Sequence, residues 1–249
     1  MVDLSATIAG IRFPFCAMNS AGIFALPEQL RRLAASESGA IVLKTATVHP
    51  FVHPQFRSLH NPGYDKLLPI VRELVVDGAK PVVASIAGST VDEFVQLAHA
   101  FAEAGASLIE ANLADSWIAA TLAPFDEVEQ LQSVCRRLVQ ATSVPVAIKL
   151  PDRAPMPYRQ IAAELLEAGI RVVCARNDFG GLEKLLLDAH DRLEVIAVGG
   201  VRSGYDVARA LSKGACAVQV GSALAQEGAG IFARLRREML IARGERPEA

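Results

Sequence analysis

Eight short apolar runs, each leading into a helical segment, constrain the fold of this chain more than any other feature. They lie at residues 15–18, 41–43, 82–86, 108–109, 146–148, 172–174, 195–198 and 217–220. Runs this short and this rich in Val and Ile suit strands buried on both faces, as parallel strands covered by helices are. Between them, residues 27–35, 126–142, 158–168, 205–213 and 230–243 read as helices. Thr90-Val91-Asp92-Glu93 is a capping box, followed by an apolar stripe through Phe94, Leu97, Ala98 and Phe101 and a stop at Gly105. Gly39, Gly169 and Gly214 end three further helices. Strict alternation of strand and helix predicts an α/β fold, a TIM (β/α)8 barrel in which residues 1–249 form one domain. An open doubly wound sheet shares the alternation, but eight units and a late phosphate signal favour the barrel.

That signal is a pair of segments, Ala197-Val198-Gly199-Gly200 and Gln219-Val220-Gly221-Ser222, each ending an apolar run in glycine before a helix. Without a Cβ in the way, backbone N–H groups can approach an anion there. In a barrel of this kind the loops after the last two strands are the usual phosphate site. Polar residues directly after the other strands point into the same mouth. They are Asn19 and Ser20, Lys44 and Thr45, Ser85, Glu110 and Asn112, Lys149, and Arg176-Asn177-Asp178. Residues 46–66, rich in Pro, His, Asn and Gly, are too long for a simple connection and are expected to cover the site.

Composition narrows the partners. Lys+Arg 25 against Asp+Glu 27 gives a net charge of -2, which offers no electrostatic reason to expect nucleic acid or a membrane surface. No apolar stretch approaches the ~20 residues of a membrane helix. Met1-Val2-Asp3 opens without the features of a secretory signal, so a cytoplasmic protein is expected. Cys16, Cys135, Cys174 and Cys216 lack CxxC spacing and read as reduced core thiols. His49, His53 and His60 share one proline-broken loop but match no common metal site, and no metal is expected.

The strand-end motifs, taken in order, resemble the dihydroorotate dehydrogenase family of FMN-dependent barrels, most nearly its cytosolic class 1 branch. Asn19-Ser20-Ala21-Gly22 is similar to that family's Asn-Ala-Ser-Gly turn, Lys44-Thr45-Ala46-Thr47 to its Lys-(Ser/Thr)-x-Thr segment, and Ser85-Ile86-Ala87-Gly88 to its third strand end. Glu110-Ala111-Asn112-Leu113 resembles the fourth strand end, and Val146-Ala147-Ile148-Lys149-Leu150 the strand that brings a lysine to the flavin. The two glycine segments, the first extended by Ser203-Gly204, correspond to the FMN phosphate segments. The resemblance implies FMN as cofactor. It places Ser20, Ala21, Gly22, Lys44, Thr45, Asn112, Lys149, Gly199, Gly200, Gly221 and Ser222 around it, with Lys149 and Lys44 facing the ring. A lysine near N1 and O2 of a flavin stabilises negative charge on the reduced ring. It further implies hydride transfer between a small anionic substrate and flavin N5, a place in pyrimidine biosynthesis, and a homodimer, with an iron–sulfur partner subunit in some relatives.

The segments that meet substrate in the family are rewritten here. After the fourth strand the family reads Asn-x-Ser-Cys-Pro-Asn or Asn-x-Ser-Ser-Pro-Asn, its fourth residue being the base. This chain reads Asn112-Leu113-Ala114-Asp115-Ser116-Trp117, which puts Asp115 at the base position in direct register and Ser116 there after a one-residue slip. An aspartate serves as base when burial raises its pKa toward neutrality; otherwise it is an N-cap or loop carboxylate. The family's Asn-Ser-Met-Gly-Leu-Pro-Asn stretch is replaced by residues 57–64, where Asn61 keeps one amide. Asn177 is the surviving amide after the sixth strand, and much of the insertion that usually follows is missing. Arg176 suits an anion in bidentate geometry, as a substrate or phosphate anchor, or else forms a structural ion pair. Two other functions fit these residues: an FMN-binding barrel with another substrate or no dehydrogenase activity, and a barrel gripping a phosphorylated substrate with Lys44 or Lys149 as Schiff-base nucleophile.

Overall fold

The computed structural model describes residues 3–52, 60–78, 80–114, 128–151, 156–177, 180–189 and 192–242. It opens with an antiparallel hairpin, β1 (Ala6–Ile8) and β2 (Ile11–Phe13). The barrel strands follow: β3 (Ala17–Asn19), β4 (Ile41–Val42), β5 (Val82–Ile86), β6 (Leu108–Asn112), β7 (Val146–Lys149), β8 (Val172–Arg176), β9 (Glu194–Val198) and β10 (Ala217–Val220). Every pairing among these eight is parallel, in the order β3-β10-β9-β8-β7-β6-β5-β4. Each lies within one of the expected apolar runs or overlaps it. The helices between them are α1 (Pro27–Ala35), α2 (Leu68–Asp77), α3 (Val91–Glu103), α4 (Val128–Ala141), α5 (Tyr158–Glu167), α6 (Gly181–Ala189), α7 (Gly204–Ser212), α8 (Ser222–Glu227) and α9 (Ile231–Ala242). The molecule is a (β/α)8 barrel, and the open-sheet alternative is set aside.

Closure of the barrel uses one side chain beside the backbone bond from Gly39 N to Ala17 O. β4 is only two residues long, and the seam between β3 and β4 is bridged by Asn19, whose Nδ2 donates to Val42 O at 2.6 Å while its Oδ1 accepts from Val42 N at 2.8 Å. A primary amide reproduces the donor and acceptor of a peptide unit, so it completes the ladder where the backbones diverge. Asn19 is fully buried, and both Val42 groups would otherwise lack partners in the core.

Local signals behave as the sequence predicts along most of the chain. Thr90 Oγ1 accepts from Glu93 N at 3.2 Å, and Phe94, Leu97, Ala98 and Phe101 are the buried face of α3. Gly105, Gly169 and Gly214 all take positive φ at helix ends. Gly39 differs. Its φ is not positive; α1 ends at Ala35, and Gly39 is needed because its N–H donates to Ala17 O at 2.8 Å, so close that a Cβ would overlap the Phe15 carbonyl. Gly39→Ala is expected to lower the unfolding free energy by about 2–3 kcal/mol in urea titration; a change below about 0.5 kcal/mol would show that the β3 backbone yields freely.

The hairpin, the structure within residues 46–66 and helix α2 are not among the elements expected from the apolar pattern. The β1–β2 hairpin turns at Ala9 and Gly10, both at positive φ, and Ala9 N donates to Glu194 Oε2 at 2.6 Å at the start of β9. Leu4, Ala6, Ile8 and Phe13 are buried, so the hairpin covers the barrel end where the strands begin. The stretch expected to be a loop over residues 46–66 pairs Phe51 with Asn61 and ends in a 3-10 turn, Tyr64–Lys66, that leads into α2.

Candidate functional site

Where the strands end, the polar side chains converge as expected. A cleft of about 730 Å³ opens beside the ends of β3, β8, β9 and β10, lined by Ser20, Arg176, Gly199, Gly200, Gly221 and Ser222 among others. Gly199 and Gly200 have φ of 87° and 71°, a left-handed pair that side chains rarely adopt, and a Cβ at Gly221 would meet Ile23 and Ser20 at 3.9 Å. No side chain caps α8 as it leaves Gly221. Ser203 and Gly204, read from sequence as part of the phosphate segment, are spent within the protein. The Asp206 carboxylate accepts from Arg202 N, Ser203 N and Ser203 Oγ at 2.9–3.0 Å, and Glu238 accepts from Gly204 N at 2.7 Å.

Next to the cleft sits a buried polar network that crosses the barrel. Lys149 Nζ, at the end of β7, donates to Gln219 Oε1 on β10 at 3.0 Å, lies 3.4 Å from Ser20 Oγ, and is 3.5 Å from Glu110 Oε1 on β6. Gln219 Nε2 donates to Glu110 Oε2 at 2.5 Å, and Cys174 Sγ on β8 donates to the same oxygen at 3.5 Å. Glu110 and Gln219 are each 1% exposed and Lys149 is 8% exposed. Burial, and then the neighbouring Glu110, push the Cys174 thiol well above its usual range, which keeps it a neutral donor. Burial likewise pushes Cys135 and Cys216 up to about 12. All four cysteines are free. These three thiols are expected to resist iodoacetamide at pH 8 in the native protein and to react at once in guanidinium; rapid native labelling of Cys174 would contradict its placement.

The opposite rim is held by hydroxyls and an amide. Asn112 Nδ2 donates to Thr45 Oγ1 at 2.9 Å, Thr45 and Ser85 hydroxyls are 3.0 Å apart, and Asn112 Oδ1 accepts from Ala114 N at 3.1 Å. Lys44 is buried directly before Thr45. Asn61 is buried too, but its Oδ1 accepts from Thr47 Oγ1 at 2.9 Å and Gly63 N at 3.0 Å and so holds its own loop. Arg176 lines the cleft. Asn177 follows it, with Oδ1 buried and without a hydrogen-bond partner among the described residues. Ala21 and Gly22 continue from Ser20, Gly22 at φ 85°. Asp115 and Ser116, the two candidates for the base, lie outside the described residues, as does Trp117.

The sequence places Glu110 at the mouth without naming its partners, and it gives Gln219 no role of its own. Their signal is a charge or amide inside a run otherwise apolar on both sides, Ile109-Glu110-Ala111 and Val218-Gln219-Val220. A strand buried on both faces carries such a residue only with partners inside the barrel.

Fold and site together define a class: parallel (β/α)8 barrels with a glycine cradle after the last two strands and a lysine-bearing polar mouth. Comparison with known proteins narrows it. The family model described as dihydroorotate dehydrogenase matches residues 181–242. A dihydroorotate dehydrogenase (fumarate) of Trypanosoma cruzi is 28% identical over 276 residues, covering 90% of this chain and 88% of the relative. The protein of that name from Trypanosoma brucei brucei is 27% identical over 292 residues, covering 96% and 93%. Among solved structures, a ligand-free dihydroorotate dehydrogenase from Eimeria tenella superposes with a TM-score of 0.84 at 16% identity, over 98% of this chain and 89% of that one, a likeness of fold. The chain is thus similar over nearly its whole length to proteins named dihydroorotate dehydrogenase, a likeness that supports an oxidoreductase related to those enzymes. Among the described residues no helix is long and apolar enough to cross a membrane.

Proposed function

We propose that the protein is an FMN-dependent oxidoreductase that exchanges hydride with a small anionic substrate. The observation that carries this reading is the continuity of cleft and network: Ser20 both lines the glycine cleft and approaches the Lys149 ammonium. The residues present fit the cofactor. A cradle of glycines with a guanidinium beside it suits a phosphate, and the unpartnered Asn177 Oδ1 leaves a buried acceptor for a ligand donor. Gly199, Gly200, Gly221, Ser222 and Arg176 would hold the phosphate end, and Lys149, Lys44 and Asn112 the ring. When bound, FMN supplies a two-electron acceptor for hydride from a substrate carbon. Lys149 places a fixed positive charge at the mouth, preorganised by Gln219 before any ligand arrives. Asn177 orients an anionic substrate beside it, and the side chain at 115 or 116 takes the proton. Lys149 Nζ is engaged by Gln219, with Ser20 and Glu110 beside it, whereas a Schiff base requires an amine free to attack a carbonyl, so the lyase reading is the weaker one. Titration of FMN into cofactor-stripped protein tests the proposal: quenching of free-flavin fluorescence to saturation at one FMN per chain is expected, and unquenched fluorescence would overturn it.

A further inference from the structure

Glu110 stands at the inner end of a chain of contacts that reaches the cleft through Gln219, Lys149 and Ser20. We infer that Glu110 is a positioning residue of the flavin site, which fixes the Lys149 ammonium through Gln219 and offsets part of its charge. The inference rests on the flavin reading above.

The geometry leaves little freedom. A carboxylate only accepts, so Gln219 must turn Nε2 toward Glu110, and its Oε1 then faces Lys149. Cys174 donates to the same carboxylate oxygen, so Glu110 itself is held from β8 and β10 together. Direct approach of Lys149 to Glu110 stops at 3.5 Å, longer than a full charge-assisted hydrogen bond. The ammonium therefore stays at the mouth with Gln219 as its shortest contact, and the carboxylate acts on it as a counter-charge from behind. In a water-poor barrel that counter-charge is weakly screened. It lowers the positive potential any ligand at the mouth experiences. Removing it strengthens the hold on the more negative of two ligand states, and reduced FMN is that state.

Potentiometric titration of the FMN-loaded protein against reference dyes reads the effect without turnover. Glu110→Gln, which keeps the shape and loses the charge, is expected to favour reduced over oxidised FMN about ten-fold more than wild type, a rise of about 30 mV for a two-electron couple. Glu110→Asp, which keeps the charge and disturbs the packing, is expected to stay within about two-fold of wild type. A packing role alone predicts the reverse order, and that order, or one potential for all three proteins, overturns the inference. Should Glu110→Gln fail to fold, Glu110→Leu makes the same comparison. Wild-type protein that takes up no FMN overturns the proposed function and this inference with it, before any variant is made.

Discussion

Lys149→Met is expected to lower the free energy of unfolding by about 3 kcal/mol, the low end of what breaking a buried ion pair costs. The loss comes from what remains. Glu110 is 1% exposed and keeps only the Gln219 amide and the Cys174 thiol as donors once the ammonium is gone. Gln219 Oε1 loses its shortest donor at the same time. Lys149→Met combined with Glu110→Leu removes both charges, and it is expected to recover more than half of the deficit, because an apolar pair of similar volume tolerates burial. Urea unfolding of the two variants beside wild type measures this. A single variant within about 1 kcal/mol of wild type would mean that Glu110 finds compensation elsewhere.

Asn19→Leu should destabilise by a similar amount, about 2–5 kcal/mol, for a different reason. The substitution strands the N–H and C=O of Val42 in the core, each costing about 1–3 kcal/mol. Both bonds, at 2.6 and 2.8 Å, come from one side chain across the only seam of the barrel that β-ladder pairing does not close among the described residues. Hydrogen exchange at the Val42 amide is the local readout, and its protection should fall more than that of Val83 in the neighbouring strand. Equal loss of protection at both would indicate a general destabilisation instead of an opened seam.

Legibility from sequence followed the physics of each segment. Strands buried on both faces must be continuous apolar runs, so all eight barrel strands could be read from hydrophobicity alone. The hairpin at residues 6–13 escapes because its strands alternate exposed with buried residues and so form no continuous apolar run, and its turn, Ala9-Gly10, uses an alanine at φ 50° where composition gives no cue. Gly39 has the sequence position of a helix stop, as glycine after a helix usually is one, whereas its task is set by a strand contact distant from the helix. In the site, residues at strand ends were visible because topology alone brings them together. Glu110 is visible at a strand end, but its partnership with Gln219 depends on register across β6, β7, β8, β9 and β10, which no local pattern encodes. Asn61 illustrates the converse: it survives from a substrate motif, yet its side-chain oxygen serves the loop that carries it.

The visible absorption spectrum of the purified protein, recorded before and after anaerobic addition of dihydroorotate and then of dithionite, tests the central proposal most directly. Flavin bands near ~450 nm that bleach with dihydroorotate are the result expected of an FMN oxidoreductase with the family's own substrate. Bands that bleach only with dithionite keep the cofactor and assign another small anion as substrate, in keeping with the rewritten segments around Asn61 and Asn177. A spectrum without flavin bands, unchanged after reconstitution with FMN, would contradict the proposal.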